Sequence, residues 1–526
     1  MTTRIAPEQP IAARPVRVTW SYLSILLSIC LSLNIVLTPL KAYLCEPYPW
    51  QLPPLPPILK ASDASWTTVE ATLLEAAKRQ YNSSIFTGTT YIFDAETWTS
   101  IYRDVFPMPL PPVSCQVDLM TQLNGGAFLP HALQEKLCVA ISNTSYSVSA
   151  CFEAQLFAST FNVGCVWTMP GNDSVIVYGA YRMTSSVTAL TLKLAVRISL
   201  TLYMAGVMWR RYYRQYRSLA LQCQRYPKVG RVHICVGDPT SIFLLHPVLC
   251  LCLVLDVWQS VGTVYLEMLA VLQVDDFWQF ALGYLYLSRS VWFGYAFLSC
   301  TSMLLKKCKR EHWFTPLDPT LVAIAAALAT GPVTMINGRT AFLVFYSWLF
   351  NVLATSYHSI EITAGVFFYT IGLGLLPLLA GFGLRWMHCW RVTQPADYAA
   401  ISFNDIKQRV LLTLERLSLG VPANVRRRGG SIHAVCAHLS RLKASPCISQ
   451  RGADCYLILY DQLGAPIEVV RLSLKTCIDM TDEDLDVLVL PTSNVFGHVG
   501  LVSDESTGVN QLLQHPPLGS DCAWIE

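Results

Sequence analysis

Four charged side chains inside otherwise apolar stretches are the residues best placed to do chemistry. They are Lys193, Arg197, Asp256 and Arg289. A charge in lipid is costly, so such residues pair with one another or face a polar cavity. At about 1.5 Å per helical residue, all four fall in one layer, roughly 9 to 18 Å from the outer ends of their segments.

The balance of these charges leaves two alternatives. Lys193 and Arg197 are four residues apart on one helical face, so Asp256 is expected to pair with one of them. The remaining positive charge would then face an anionic solute in a polar cavity. In the structural alternative Asp256 forms a buried pair, Lys193 extends to the membrane surface, and Arg289 bonds to backbone oxygens.

Residues 41–185 form a long polar interval with the features of a luminal or extracellular domain. All three glycosylation sequons of the chain lie there, at Asn82, Asn143 and Asn172. The interval also contains five cysteines, Cys45, Cys115, Cys138, Cys151 and Cys165. An oxidising compartment predicts two disulfides and one spare thiol; the alternative is a set of buried, unpaired cysteines.

No motif makes a case for catalysis, a cofactor or a metal ion. The sequence has no P-loop, no dinucleotide-binding glycine pattern, no Gly-x-Ser-x-Gly and no His-Glu-x-x-His. The spacing of His433, Cys436 and His438 fits no usual zinc site. The acidic run 482–484 follows a threonine and is typical of a capped helix N-terminus. We therefore expect a protein that is not an enzyme and holds neither cofactor nor metal.

Two features predict contacts with the membrane surface. Cys308 and Cys389 lie beside basic residues at the ends of apolar segments, where reversible palmitoylation is reasonable. The basic loop 210–231 mixes arginines with tyrosines, and its expected partner is anionic lipid headgroups rather than nucleic acid.

The composition indicates which elements must position these residues. Hydrophobic types make up 53% of the 526 residues and charged types only 14%, against about a quarter in soluble domains. The deficit is concentrated in seven apolar stretches, at 18–40, 187–209, 242–264, 277–305, 320–336, 340–355 and 362–384. This pattern predicts a mainly α-helical polytopic membrane protein with six crossings and one imperfect or re-entrant segment.

The predicted domains follow from these stretches. They are a cytosolic N-terminus 1–17, a signal-anchor helix 18–40, an extracellular or luminal α+β domain 41–185, a transmembrane bundle 187–384 and a cytosolic α+β tail 385–526. Residues 18–40 lack a clear small-x-small cleavage site, which favours a retained anchor over a cleaved signal peptide. In the tail, Tyr456–Tyr460 and Ile467–Leu472 predict a β-hairpin, and the helical spacing of apolar residues from 401 to 417 predicts an amphipathic helix.

Basic residues predict the orientation. Lys and Arg number three before the first stretch, seven in loop 210–240, none in loop 265–276 and four in loop 306–317. Since positive loops favour the cytosol, the interval 41–185 is expected outside and the two basic loops inside. Whether 320–336 crosses is left open, because it is short and contains Gly331-Pro332. Basic residues after 384 favour a cytosolic tail.

Two functional classes fit this architecture. The first is a receptor-like or scaffolding membrane glycoprotein of the secretory pathway or plasma membrane, linking an unknown external ligand to an unknown cytosolic partner. The second is a transporter or channel for an anionic solute, suggested by the layer of charge and the Gly-Pro break. The first is preferred, because the sequence marks no strongly polar path through the membrane.

Overall fold

The computed structural model describes residues 16–52, 65–81, 85–86, 90–107, 115–143, 146–171, 174–224, 229–271, 277–331, 342–353, 358–390, 406–422, 425–429, 445–448, 454–474, 487–489, 498–503, 510–515 and 523–525. The strands, in chain order, are β1 (Arg17–Trp20), β2 (Tyr91–Asp94), β3 (Thr99–Pro107), β4 (Ser149–Leu156), β5 (Ser159–Pro170), β6 (Ser174–Met183), β7 (Arg231–Cys235), β8 (Ser359–Glu361), β9 (Arg426–Gly429), β10 (Cys455–Tyr460), β11 (Pro466–Leu474), β12 (Val487–Val489), β13 (His498–Ser503), β14 (Asn510–His515) and β15 (Trp524–Ile525).

The α-helices, in chain order, are α1 (Tyr22–Val36), α2 (Thr38–Lys41), α3 (Trp66–Gln80), α4 (Cys115–Gln122), α5 (His131–Ser142), α6 (Val187–Met208), α7 (Gln215–Cys223), α8 (Pro247–Trp258), α9 (Val261–Val271), α10 (Phe277–Leu287), α11 (Val291–Lys307), α12 (Pro319–Thr330), α13 (Phe342–Asn351), α14 (Thr363–Trp390) and α15 (Ile406–Leu419). Short 3-10 turns occupy Ala42–Leu44, Gly126–Phe128, Thr240–Leu245, Ser288–Ser290 and Glu311–Trp313, and a π-helical turn, Trp209–Tyr213, joins α6 to α7.

Side-chain caps explain where three of the apolar helices begin. The hydroxyl of Ser21 accepts a hydrogen bond from the Ser24 amide at 3.0 Å, and that of Ser186 accepts from the Ala189 amide at 3.2 Å. Asp318 does the same for the amide of Thr320 at 2.8 Å. Each cap satisfies an amide that the first helical turn leaves without a backbone partner.

The polar interval folds around a six-stranded sheet, here called the interval sheet, in the order β2-β3-β6-β5-β4-β8. Its strands β3 to β6 pair antiparallel, and a core that includes Tyr102, Phe152 and Tyr181 lies against it. The prediction of disulfides is confirmed: Cys115 joins Cys138, and Cys151 joins Cys165 directly across β4 and β5. Cys45 is a half-buried free thiol.

The second six-stranded sheet, here called the tail sheet, runs β1-β7-β10-β11-β15, with β9 also beside β11. The hairpin β10–β11 supplies its centre, and α15 packs against it through Leu412. Two of its strands come from outside the tail: β1 precedes α1, and β7 lies between α7 and α8. The strands β12, β14 and β13 form a separate three-stranded sheet.

The prediction of six membrane crossings is wrong. Within the described ranges, two helical stretches are long and apolar enough to cross a membrane, Val187–Cys223 and Thr363–Trp386. The number rises to four if two bent pairs each count as one span. These pairs are Tyr22–Val36 with Thr38–Leu44, bent by 62°, and Pro247–Trp258 with Val261–Val271, bent by 70°. The fold is a mixture of such helices with β-sheets, compatible with membrane association.

The error arises because mean apolarity does not reveal interruptions in a helix. The stretch 277–305 is broken by the 3-10 turn Ser288–Ser290. The stretch 320–336 yields a helix of 12 described residues and 340–355 one of 10. A helix of 12 residues rises only about 18 Å, well short of the roughly 30 Å hydrocarbon core of a bilayer.

Candidate functional site

The four charged residues singled out in the apolar stretches meet in one place, together with a fifth that sequence reasoning missed. We call Glu46, Lys193, Arg197, Asp256 and Arg289 the charge cluster. All five are more than nine-tenths buried, and Arg197 has no exposed surface at all.

The cluster forms where the apolar stretches are interrupted. Lys193 and Arg197 lie one turn apart on the continuous helix α6. Asp256 lies just before the 70° bend between α8 and α9, and Arg289 lies in the 3-10 turn between α10 and α11. Glu46 comes two residues after the end of the first bent pair. Two breaks and the end of one bent pair therefore bring these residues to the same face of α6.

Arg197 is the centre of the cluster. Its Nη1 and Nη2 each donate to a different oxygen of Glu46 at 2.8 Å, and its Nε donates to Oδ1 of Asp256 at 2.7 Å. Nη2 also donates to the hydroxyl of Ser260 at 3.1 Å. The planar guanidinium suits this arrangement, because its donors can serve two carboxylates at once.

The two other cations complete the coordination of the carboxylates. Lys193 Nζ lies 2.7 Å from Oε2 of Glu46. Arg289 donates to Oε1 of Glu46 at 3.2 Å and also to Oδ2 of Asp256. The hydroxyl of Tyr286 donates to Glu46 as well. Lys193 thus binds inward rather than extending to a membrane surface, and Arg289 binds carboxylates rather than backbone oxygens.

The charges in the cluster do not cancel. Three cations share two carboxylates, which leaves one positive charge in excess. A buried ion pair brings little net stability relative to an apolar core, but removal of one partner leaves a charge without compensation. The cluster therefore specifies how the broken helices fit together, and its excess charge has to be balanced by its surroundings.

A cavity of about 300 Å³ reaches the cluster at Arg289. Two further cations line it, Lys41 from α2 and Lys407 from α15, and its lining includes no Asp or Glu within the described ranges. Lys41 donates to the backbone oxygen of Asn34 at 2.6 Å, and Lys407 lies 3.3 Å from Oδ2 of Asp238. Three cations therefore lie at the wall of this cationic cavity, and two of them, Arg289 and Lys407, are also paired with carboxylates.

The structure describes some of the predicted modification sites. Asn143 lies exposed at the end of α5, whereas Asn82 and Asn172 lie outside the described residues. Cys308 is exposed directly after α11, and Cys389 lies within α14, where its side chain is not among those described.

The basic loop 210–231 is partly built into the fold. Its arginines at 210, 211, 214 and 217 are exposed, as contact with lipid headgroups requires. Tyr212 and Tyr216, in contrast, are buried and pack against Trp524 of the tail sheet. The tyrosines therefore fix this loop to the tail instead of facing lipid.

A second group of residues has ligand types suited to a metal ion. His233 and Cys235 of β7 and Glu415 of α15 are buried, with their ligand atoms within 4.8 Å of one another. Burial raises the pKa of the Cys235 thiol well above its usual value, and the negative charge of Glu415 adds to the rise. Burial, together with Arg231, lowers the pKa of His233. The candidate trio His433, Cys436 and His438 lies outside the described residues.

Comparison with protein-family models, with curated proteins and with solved structures gives no match. The fold and the site themselves define a class: a chain with apolar helices of membrane length, broken helices around a buried charge cluster, and two mixed sheets that share strands with the helical region.

The central role of Arg197 predicts the result of its removal. In Arg197→Gln, Glu46 and Asp256 lose their shared partner, and stability should fall by about 3–5 kcal/mol. The loss should be visible as a lower melting temperature and a reduced monodisperse fraction in detergent. The control is Arg210→Gln, which removes an exposed arginine from the π-helical turn after α6. Equal stability of the two variants would contradict the role given to Arg197.

Proposed function

We propose that this chain is a receptor-like or scaffolding protein of the secretory pathway or plasma membrane that crosses the bilayer more than once. In this function the interval sheet lies on one side of the membrane, the tail sheet lies on the other, and the helices transmit changes between them. The observation that carries the proposal is that each sheet includes a strand directly joined to an apolar helix: β8 leads into α14, and β1 leads into α1.

Hydrogen bonds of Glu361 connect the β8 end of the interval sheet to the β4–β5 turn. Glu361 accepts hydrogen bonds from the amides of Phe157 at 3.1 Å and Ala158 at 2.9 Å. These two residues form the β4–β5 turn with positive φ angles of 51° and 59°, a conformation that costs free energy for residues other than glycine. The carboxylate of Glu361 stabilises the turn and fixes the start of α14 to it.

The other end of α14 is connected to the tail by hydrogen bonds. Thr315 donates its amide to the backbone oxygen of Gly381 in α14 at 3.2 Å. Two residues later, Leu317 donates to the backbone oxygen of Cys447 at 3.1 Å. A continuous path of backbone contacts thus runs from the interval sheet through α14 to the tail, as a signal-transmitting protein requires.

Coupling through α14 makes a prediction for Glu361→Gln. The neutral side chain loses the charge-assisted hydrogen bonds to the turn, so amide exchange at 157–158 and in β8 should rise by about tenfold. The proposal requires faster exchange also in α14 and in β10–β11, measured by hydrogen–deuterium exchange of the full chain in nanodiscs.

The matched control is Glu75→Gln, which removes a carboxylate from an exposed pair with Arg79 on α3. It should leave exchange in α14 and the tail sheet unchanged. If Glu361→Gln raised amide exchange only as far as β8, the result would contradict coupling between the interval sheet and the tail sheet.

The proposed orientation has the interval outside and glycosylated, and the basic loop and tail inside. Its support is that β1, β7 and β10 pair in one sheet, so the N-terminal strand, the strand after the basic loop and the tail share one side. The exposed position of Asn143 at a helix end is accessible for glycan attachment.

Expression in animal cells tests this orientation. Ser145→Ala destroys the sequon of Asn143 and should remove one glycosidase-sensitive step in gel mobility, whereas Ser142→Ala leaves the sequon intact and serves as the control. A wild-type chain without glycans, whose 210–217 segment is stained by antibody in unpermeabilised cells, would reverse the orientation.

A second candidate function, the passage of an anionic solute, is favoured by the cationic cavity. Broken helices at membrane depth often line solute sites in transporters, and this cavity adjoins a cluster with an excess positive charge.

Chloride flux in proteoliposomes tests the second candidate. If the cavity carries anions, the chloride flux of vesicles with the wild type should exceed that of empty vesicles. Lys407→Gln should lower this flux severalfold, because it removes a cation from the cavity wall. Lys307→Gln, at the exposed end of α11, is the control. Absence of flux rejects this candidate, and a robust flux that depends on Lys407 would overturn the purely receptor-like function.

A further inference from the structure

The buried group His233, Cys235 and Glu415, here called the thiol–imidazole cluster, is unexplained by the coupling function. His233 and Cys235 are two residues apart on β7, so their side chains project from the same face of the tail sheet. Helix α15 covers that face and contributes Glu415. The imidazole, thiol and carboxylate ligand atoms all lie within 4.8 Å of one another.

One ring nitrogen of His233 has a hydrogen-bond partner, and the other has none among the described residues. The hydroxyl of Thr19 lies 2.9 Å from Nδ1 of His233 and 3.3 Å from the backbone oxygen of Val232. When that hydroxyl donates to the carbonyl of Val232, it accepts from Nδ1–H and the lone pair of the ring lies on Nε2. Nε2 of His233 is buried and has no hydrogen-bond partner in the part of the chain that the structure describes.

Glu415 is a buried carboxylate that lacks a cationic partner among the described residues. Its side chain is only 2% exposed, and it accepts a hydrogen bond from the hydroxyl of Ser21. Among the described residues, no lysine, arginine or histidine forms an ion pair with it. A buried carboxylate with one neutral partner is costly unless a cation compensates it. An imidazole and a carboxylate whose ligand atoms lie within 4.8 Å of each other and of a thiol are complementary to a metal ion.

We propose that His233, Cys235 and Glu415 bind a divalent transition-metal ion of the zinc type. The ligands are Nε2 of the imidazole, Sγ of the thiolate and one carboxylate oxygen, which are the three ligand types that zinc takes in proteins. When the metal binds, the Sγ–H bond of Cys235 breaks, its proton passes to solvent and the thiolate lone pair forms the metal bond.

The geometry suits this ion better than a hard one. Tetrahedral ligands at 2.0 to 2.3 Å from zinc lie about 3.5 Å apart, so atoms already within 4.8 Å need only small side-chain rotations. Sulfur and nitrogen ligands discriminate against magnesium and calcium, which prefer oxygen. The fourth position remains available to water. Thr19 and Ser21, which bond to His233 and Glu415, act as the outer shell that orients the ligands.

The site would join three distant parts of the chain. Thr19 and Ser21 lie just before the start of α1. His233 and Cys235 lie between α7 and α8, and Glu415 belongs to the tail. Metal binding would therefore fix α15 to the tail sheet and to the first helix. The consequence is that metal occupancy should stabilise the docking of the tail without any change in the interval sheet.

The test uses the full-length chain in detergent, purified through a tag without histidine. After equilibration with Zn²⁺ and removal of free metal, elemental analysis should find about one zinc per chain. A chelator should lower the melting temperature and zinc should restore it. Replacement by Co²⁺ should produce the thiolate-to-cobalt charge-transfer absorption that reports a cysteine ligand.

Two variants and a control assign the site. Cys235→Ser should lose the cobalt charge-transfer band, and Glu415→Gln should lower metal occupancy at least tenfold. Cys250→Ser, which alters another buried free thiol in α8, should retain both signals. Should either ligand variant fail to fold, the wild type still decides: no bound zinc or cobalt overturns the proposal. Full metal occupancy with an unchanged cobalt spectrum in Cys235→Ser also overturns it.

Discussion

The shared hydrogen bonding of Arg197 with Glu46 and Asp256 is the interaction on which the helical part of the structure depends. Asp256 comes from a bent apolar stretch, Glu46 follows the end of another, and Arg197 comes from the long helix α6, which lies beside both. Interrupted helices expose polar backbone groups that lipid cannot satisfy. The guanidinium satisfies several acceptors at one point and so determines where the broken stretches meet.

The two sheets are also not independent of the helices. A helix that ends or bends within the apolar region needs contacts with other elements to fix its position. The two sheets supply such contacts through short strands. The three residues of β8 pair with β4 next to the start of α14, and the four residues of β1 pair with β7 next to the start of α1. The interval sheet, the tail sheet and the helices are therefore connected, and this connection is the physical basis for the coupling proposed above.

The sequence predicts features that depend on a local pattern of residues. It does not predict contacts between residues that are far apart in the sequence. Charges in apolar stretches identified four members of the charge cluster, and the neighbouring runs Tyr456–Tyr460 and Ile467–Leu472 identified the hairpin β10–β11. Glu46 was missed because it follows the first apolar stretch in what reads as a polar stalk. The number of crossings was wrong because hydropathy does not detect the bends near Leu37 and Gln259. His233 and Glu415 are 182 positions apart in the sequence numbering, and no spacing rule could join them.

Helix α1 is the element that the two buried clusters have in common. Ser21, the N-cap residue of α1, bonds to Glu415 of the thiol–imidazole cluster, and the bent pair that α1 begins ends just before Glu46 of the charge cluster. A shift of α15 against the tail sheet must therefore either break the bond to Ser21 or move α1. In the second case the movement reaches Glu46, whose oxygens are held by three cations at short distances. Because packed ionic contacts of this kind do not deform gradually, the tail would affect the charge cluster through a change of ion pairing.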